Sequence, residues 1–167
     1  MKEEIKSTYF CDHDYNVWLL FNHTWRAMFK ARERELLTYK ITPEQAEVLL
    51  AVQALGNKAT PAAISRSTLR EPHTISGLID RMVGKGLLTK NKDLDRRNLV
   101  RIELTEKGLK AYDHSTARRA IFDVMGELDP KERRSLCCML ERLQAKALKV
   151  LGVEERPAFP PKEEEAE

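Results

Sequence analysis

Leu94-Asp95-Arg96-Arg97-Asn98-Leu99-Val100-Arg101-Ile102-Glu103-Leu104-Thr105-Glu106-Lys107-Gly108 holds two different patterns side by side. Its second part alternates apolar Val100, Ile102 and Leu104 with charged Arg101 and Glu103, the period-two pattern of a strand with one buried face. Leu87-Leu88-Thr89-Lys90 reads as a partner strand, and the polar run 91–98 as the hairpin loop between them. Thr105 ends the second strand and caps a helix. A small β-hairpin with two adjacent arginines in its loop therefore interrupts an otherwise helical sequence.

Working outward, Pro72 stands at a first helical position and opens a helix to Lys85 whose apolar face is Ile75, Leu78, Ile79, Met82 and Val83. Thr60-Pro61 opens a shorter helix to about Ser67. Thr42-Pro43, with Gln45 completing a capping box, opens a third from Pro43 to Leu55. Downstream, the pattern predicts one unbroken helix from Thr105 to about Leu128, with Leu109, Tyr112, Ile121, Phe122 and Met125 facing inward. Asp129-Pro130 with Glu132 forms a second capping box and starts a last helix to about Leu151, striped by Leu136, Leu140, Leu143, Ala147 and Val150. At the front, 14–39 reads as a helix carrying Tyr15, Trp18, Trp25, Phe29 and Leu36 on one stripe. At 1.5 Å per residue it would be roughly 39 Å long, more than a small core needs, which predicts a partner along it. The fold class is mainly α with a small β-hairpin wing: a winged helix-turn-helix with long dimerisation helices. The expected division is 1–40 for an N-terminal dimerisation helix and 41–107 for the winged helix-turn-helix. Helices of 108–152 would complete the dimer, and 153–167 would form a flexible acidic tail.

Composition narrows the function. The chain has 167 residues, 42% hydrophobic and 33% charged, with a net charge of +3. That is enough apolar side chain to form a core, and no apolar run approaches the roughly 20 residues a bilayer span needs. With no apolar leader at the N-terminus, the expected location is the cytoplasm. Between Lys58 and Lys107, eleven basic residues face six acidic ones, whereas six glutamates dominate 154–167. The basic middle third predicts an anionic partner.

The arrangement of short helix, turn, helix and basic hairpin suits double-stranded DNA. A helix fits the major groove and reaches base edges with its N-terminal residues. Between Pro72 and Arg81 the side chains not needed for packing include His73, Thr74, Ser76, Gly77 and Arg81, small hydrogen-bonding groups and one forked donor. Arg70, Lys90, Lys92 and Arg101 flank them and suit phosphate neutralisation. Arg96 and Arg97, at the hairpin tip, suit the narrow minor groove, and Asp95 suits a brace for one guanidinium.

Residues 41–112 resemble the MarR family of bacterial transcription regulators. The wing stretch quoted above is similar to the family's Asp-Arg-Arg group followed by an alternating strand and Leu-Thr-x-x-Gly. Ser76 to Leu88 is similar to the end of its recognition helix and its first wing strand. Two positions depart from the pattern. Glu71 stands where the family often has a small hydroxyl residue, and Leu94 alone separates Asp93 from Asp95. The resemblance implies an obligate homodimer, held by the first and last two helices, on a near-palindromic operator.

Other chemistries are weaker. His13, His23, His73 and His114 fall in different elements with no carboxylate or cysteine at ligand spacing, and there is no glycine-rich phosphate loop. The sequence therefore implies no enzyme, metal or cofactor. Trp18, His23, Trp25, Arg26 and Tyr39 interleave aromatic and polar groups and suit a small aromatic or apolar acid as effector. Cys11, beside the first helix, is a candidate redox sensor, because some relatives of the family sense peroxides through an N-terminal cysteine. Cys137-Cys138 are expected to be buried as small hydrophobes in the core or a dimer interface. The competing class is a winged helix used as a protein-interaction module, which salt-dependent binding to duplex DNA would separate from the DNA reading.

Overall fold

The computed structural model describes residues 12–92 and 99–153. Asp95, Arg96, Arg97, Cys11 and the acidic tail lie outside the described residues. The first helix, α1 (His13–Leu37), starts where the Asp12 carboxylate accepts from the Tyr15 amide. It is followed by α2 (Pro43–Leu55), a single 3₁₀ turn, α3 (Pro61–Thr68) and α4 (Pro72–Gly84). The hairpin β1 (Leu88–Lys92) and β2 (Val100–Leu104) leads into α5 (Glu106–Thr116), α6 (Arg119–Met125) and α7 (Pro130–Val150).

The caps expected from sequence are formed. Thr42 Oγ1 accepts from the Gln45 amide while the Gln45 side chain accepts from the Thr42 amide, and Asp129 and Glu132 close the same reciprocal box on α7. Thr60 and Thr105 cap α3 and α5 through their hydroxyl oxygens.

The core lies inside the segment from the end of α1 to the start of α5. Val48 and Leu49 of α2, Ile64 of α3, Ile75, Ile79 and Met82 of α4, Leu88 of β1 and Ile102 of β2 form one buried cluster, closed by Leu36 and Ile41. Each such side chain contributes about 1.5–3 kcal/mol on burial. The two strands pair antiparallel, Leu88 opposite Leu104 and Lys92 opposite Val100. On its other edge β2 donates from the Ile102 amide to the Ala59 carbonyl at 2.9 Å, which ties the hairpin to the α2–α3 connection. Gly108 allows the last close approach. A Cβ there would lie 2.0 Å from the Leu87 carbonyl oxygen, so α5 can back onto the start of the hairpin only with hydrogen at this position.

One element differs from the expectation. The helix predicted from Thr105 to Leu128 is two helices, broken at Ala117-Arg118, where Arg118 takes φ 52°. No side chain of its own segment caps α6. Instead Glu35 of α1 accepts from the Arg119 amide at 2.8 Å and the Ala120 amide at 3.3 Å. Glu35 also pairs with Arg32 at 2.6 Å, and Arg32 donates in turn to the Ser115 carbonyl at the end of α5. Burial works to raise the Glu35 pKa, but the Arg32 guanidinium and the two α6 amides outweigh it and hold the carboxyl below its ordinary value. A corner fixed from α1 replaces the continuous helix.

A second difference concerns the apolar stripes. Leu109, Ile121 and Phe122, expected to face inward, are exposed, as are Leu140 and Leu143 of α7 and Trp18, Phe21 and Trp25 of α1. Cys137 and Cys138 are exposed too, not buried within the chain. Among the described residues, α6 and α7 contain no buried side chain.

Candidate nucleic-acid interface

The geometry of α4 follows from its sequence. Ile75, Leu78, Ile79 and Met82 fall on one face and are buried, which fixes the rotation of the helix. The opposite face, His73, Thr74, Ser76, Gly77 and Arg81, is exposed. No Cβ contact exists within 4 Å of Gly77, so this face is open at its centre. Pro72 occupies the first helical position, and Glu71 makes no side-chain cap to the first turn. The α4 amides that a Ser or Thr would have capped are left for other acceptors.

The turn before α4 is held from two sides. Ser65 Oγ donates to the Arg70 carbonyl at 2.6 Å, and Arg70 Nε donates to Glu47 of α2 at 2.8 Å. Arg70 is thus half-buried in an ion pair and anchors the turn. At the other end, Lys90 of β1 pairs with Asp80 of α4 at 2.5 Å on the surface. Lys92 is exposed at the end of β1, Arg101 is half-buried on β2 opposite Asn91, and Asn91 donates across the hairpin to Glu103.

The structure therefore brings His73, Thr74, Ser76, Gly77 and Arg81 together on one exposed helix face and sets Lys90, Lys92 and Arg101 on the adjoining hairpin. Glu47 and Asp80, which hold two of the predicted basic residues, went unrecognised in the sequence. Their pairings span 23 and 10 residues, and no local pattern announces them.

The effector candidates divide. His23, Trp25 and Arg26 line one cavity of about 660 Å³ with Phe29, Lys30, Glu33 and Arg70. Trp25 and Phe29 meet there with ring centroids 5.5 Å apart. Tyr39 belongs to a different cavity beside α5, and Trp18 lines neither. Among the described residues no cluster of three His, Cys, Asp or Glu could hold a metal ion, and no helix is long and apolar enough to cross a membrane.

A helix locked by its apolar face beneath an exposed polar one, preceded by a tight turn from α3 and followed by a two-stranded wing, defines a winged helix-turn-helix protein. Residues 39–98 match the sequence profile described as the MarR family. No curated protein matches the chain by sequence. Among solved structures, the organohalide-sensing transcriptional regulator RdhR in its 2,4-dichlorophenol-bound form superposes with a TM-score of 0.86 at 24% identity, over 98% of this chain and 99% of that one. A mutant MarR from E. coli complexed with operator DNA gives 0.72 at 17% identity, over 77% and 93%. MepR from S. aureus in a DNA complex gives 0.73 at 20%, over 81% and 99%. At these identities the likeness carries the fold.

Proposed function

We propose that this chain is a sequence-specific double-stranded DNA-binding transcription regulator, a binding protein rather than an enzyme, acting as a homodimer on a near-palindromic operator. The observation that carries the reading is the division of α4: its apolar face is held in the core while His73, Thr74, Ser76, Gly77 and Arg81 stand exposed beside a basic hairpin. The first group suits base edges in the major groove. By residue type, Lys90, Lys92, Arg101 and the wing residues Asp95, Arg96 and Arg97 suit phosphates and the minor groove. Two structural relatives are complexes with DNA, which supports the same use of the fold here.

The dimer is supported by the exposed apolar side chains of α1, α6 and α7, a surface that single chains in water rarely leave open. Residues 1–40 and 108–152 are assigned to dimerisation and 41–107 to DNA reading. The α1 cavity with Trp25, His23 and Arg26 is assigned to a small aromatic or apolar acid, a reading supported by the phenol-bound relative. Such an effector would have to favour the DNA-free form by about 1.4 kcal/mol for each tenfold loss of operator affinity.

The test is selection of bound fragments from random DNA, followed by salt titration of the wild type and of Arg96→Ala with Arg97→Ala. The double variant is expected to lose specific binding and to lower the salt slope by about one unit per phosphate contact, with little change in Tm. Unchanged binding at moderate salt would overturn the wing assignment.

A further inference from the structure

A second concavity lies away from the exposed face of α4 and from the α1 cavity. It encloses about 440 Å³ between the end of α1, the α4–β1 corner and the first three turns of α5. Its floor is apolar, made by Ile41, Leu87 and Ala111, all buried. One wall is a stacked pair, Tyr39 over His114, with centroids 4.5 Å apart and planes 10° from parallel. The rim carries Lys40, Lys85, Lys107 and Lys110, and among the described residues no carboxylate lines the cavity. Among the described residues, none of these four lysines is in an ion pair.

Four like charges around one hollow repel one another, and a long lysine side chain can point into bulk water instead. Here the backbone beneath them is fixed. Lys107 Nζ donates to the Lys85 carbonyl at 2.7 Å, Thr105 Oγ1 donates to the Gly86 carbonyl at 2.7 Å, and the Thr105 amide donates to the Leu87 carbonyl at 3.2 Å. The corner and α5 are thus sewn together, and the cations are brought to one place by the fold. The first turn of α4, which leads the DNA-reading face, lies a whole helix away from Lys85. At 1.5 Å per residue, that separation is about 18 Å.

We propose that this cavity is a binding site for a small organic anion bearing a phosphate or a comparable multiply charged group, with a planar part. The charged group would sit among Lys40, Lys85, Lys107 and Lys110, and the planar part would lie over the apolar floor against the Tyr39–His114 pair. Lysine suits phosphate as a point charge with three donors. One carboxylate would balance one of four cations, whereas a phosphate with a second acidic group balances most of them. The inference is independent of the DNA reading, since it uses none of the exposed α4 side chains.

The experiment is calorimetric titration of the full chain with phenyl phosphate and, separately, inorganic phosphate, in a non-phosphate buffer. Phenyl phosphate is expected to saturate at one per chain and to bind at least about tenfold more tightly than inorganic phosphate, the ring contributing through apolar contact. The paired change Lys40→Glu and Lys110→Glu, both exposed, should weaken phenyl phosphate by at least about tenfold with an unchanged melting curve. Lys92→Ala on the hairpin should leave that binding as it is. No saturation below about 10 mM, or equal affinity in the glutamate variant, would overturn the proposal. So would a third outcome: a glutamate variant that keeps its phenyl phosphate affinity but loses affinity for random-sequence DNA, which would make the rim a track for the DNA backbone instead.

Discussion

The winged-helix segment and the α1–α6–α7 frame are built to the same amphipathic rule, yet they end in opposite states. In the first, Val48, Leu49, Ile64, Ile75, Ile79, Met82, Leu88 and Ile102 are closed off from water by one another. In the second, Trp18, Phe21, Phe122, Leu143 and Val150 are more than half exposed. The first finds its complement within the chain; the second finds none among the described residues. Helical periodicity shows that a face is apolar, and nothing in it says which molecule covers that face.

Charging the open face separates the two regions most clearly. Phe122→Glu with Leu143→Glu should convert a dimer into a species near 19.3 kDa in sedimentation, with the helical circular dichroism kept. If the proposed dimer reads DNA with two heads, losing one should weaken operator binding by about 100-fold or more. A wild type that itself sediments near 19.3 kDa would end the comparison.

Next comes the closed face. Ile79→Ala removes a side chain with no exposed surface and should cost about 2–5 kcal/mol in urea unfolding. In the charged-face monomer, truncating the exposed Leu140 to Ala should cost less than about 0.5 kcal/mol.

Glycine separates the regions in another way. Gly108→Ala forces a methyl against the Leu87 carbonyl oxygen and should cost more than about 2 kcal/mol, read by thermal unfolding. Gly77→Ala meets nothing and should stabilise α4 by about 0.5–1 kcal/mol while weakening DNA binding, because the added methyl stands on the reading face.

The smallest effect is at the seam between the regions. Glu35 has its carboxyl pKa held below 4.5 in the folded chain, so its contribution is present above about pH 4.5 and fades as pH falls through the folded value. The difference in Tm between wild type and Glu35→Gln should therefore narrow on acidification below that point, and a gap constant from pH 7 to pH 3 would show that the carboxylate is not the group that matters.

Much of this was legible in the sequence because its signals are local. Thr42 with Gln45, Asp129 with Glu132, and the prolines at 43, 61, 72 and 130 mark helix starts within four residues, and Val100 to Leu104 shows its alternation in five. What escaped is non-local. The break at Arg118 carries no glycine or proline, and its cap comes from Glu35, 84 residues earlier. Likewise, the exposed donors of α4 were readable from their types, but the ties of Arg70 to Glu47 and of Lys90 to Asp80 were not. Trp25 of α1 and Tyr39 looked like one group along the chain, and the turn after α1 sends them to separate cavities.

Among the described residues, three joints bend through the left-handed region with side chains in place: Lys40 between α1 and α2, Leu69 between α3 and α4, and Arg118 between α5 and α6. A glycine at such a joint would swing through a wide basin, whereas a residue with a Cβ occupies a narrow one. Leu69 sits in the turn that aims α4, so the pitch of that helix is held to a small angular spread before anything is bound. The disorder of aiming is removed when the chain folds, and the encounter with a partner begins from a helix already pointed.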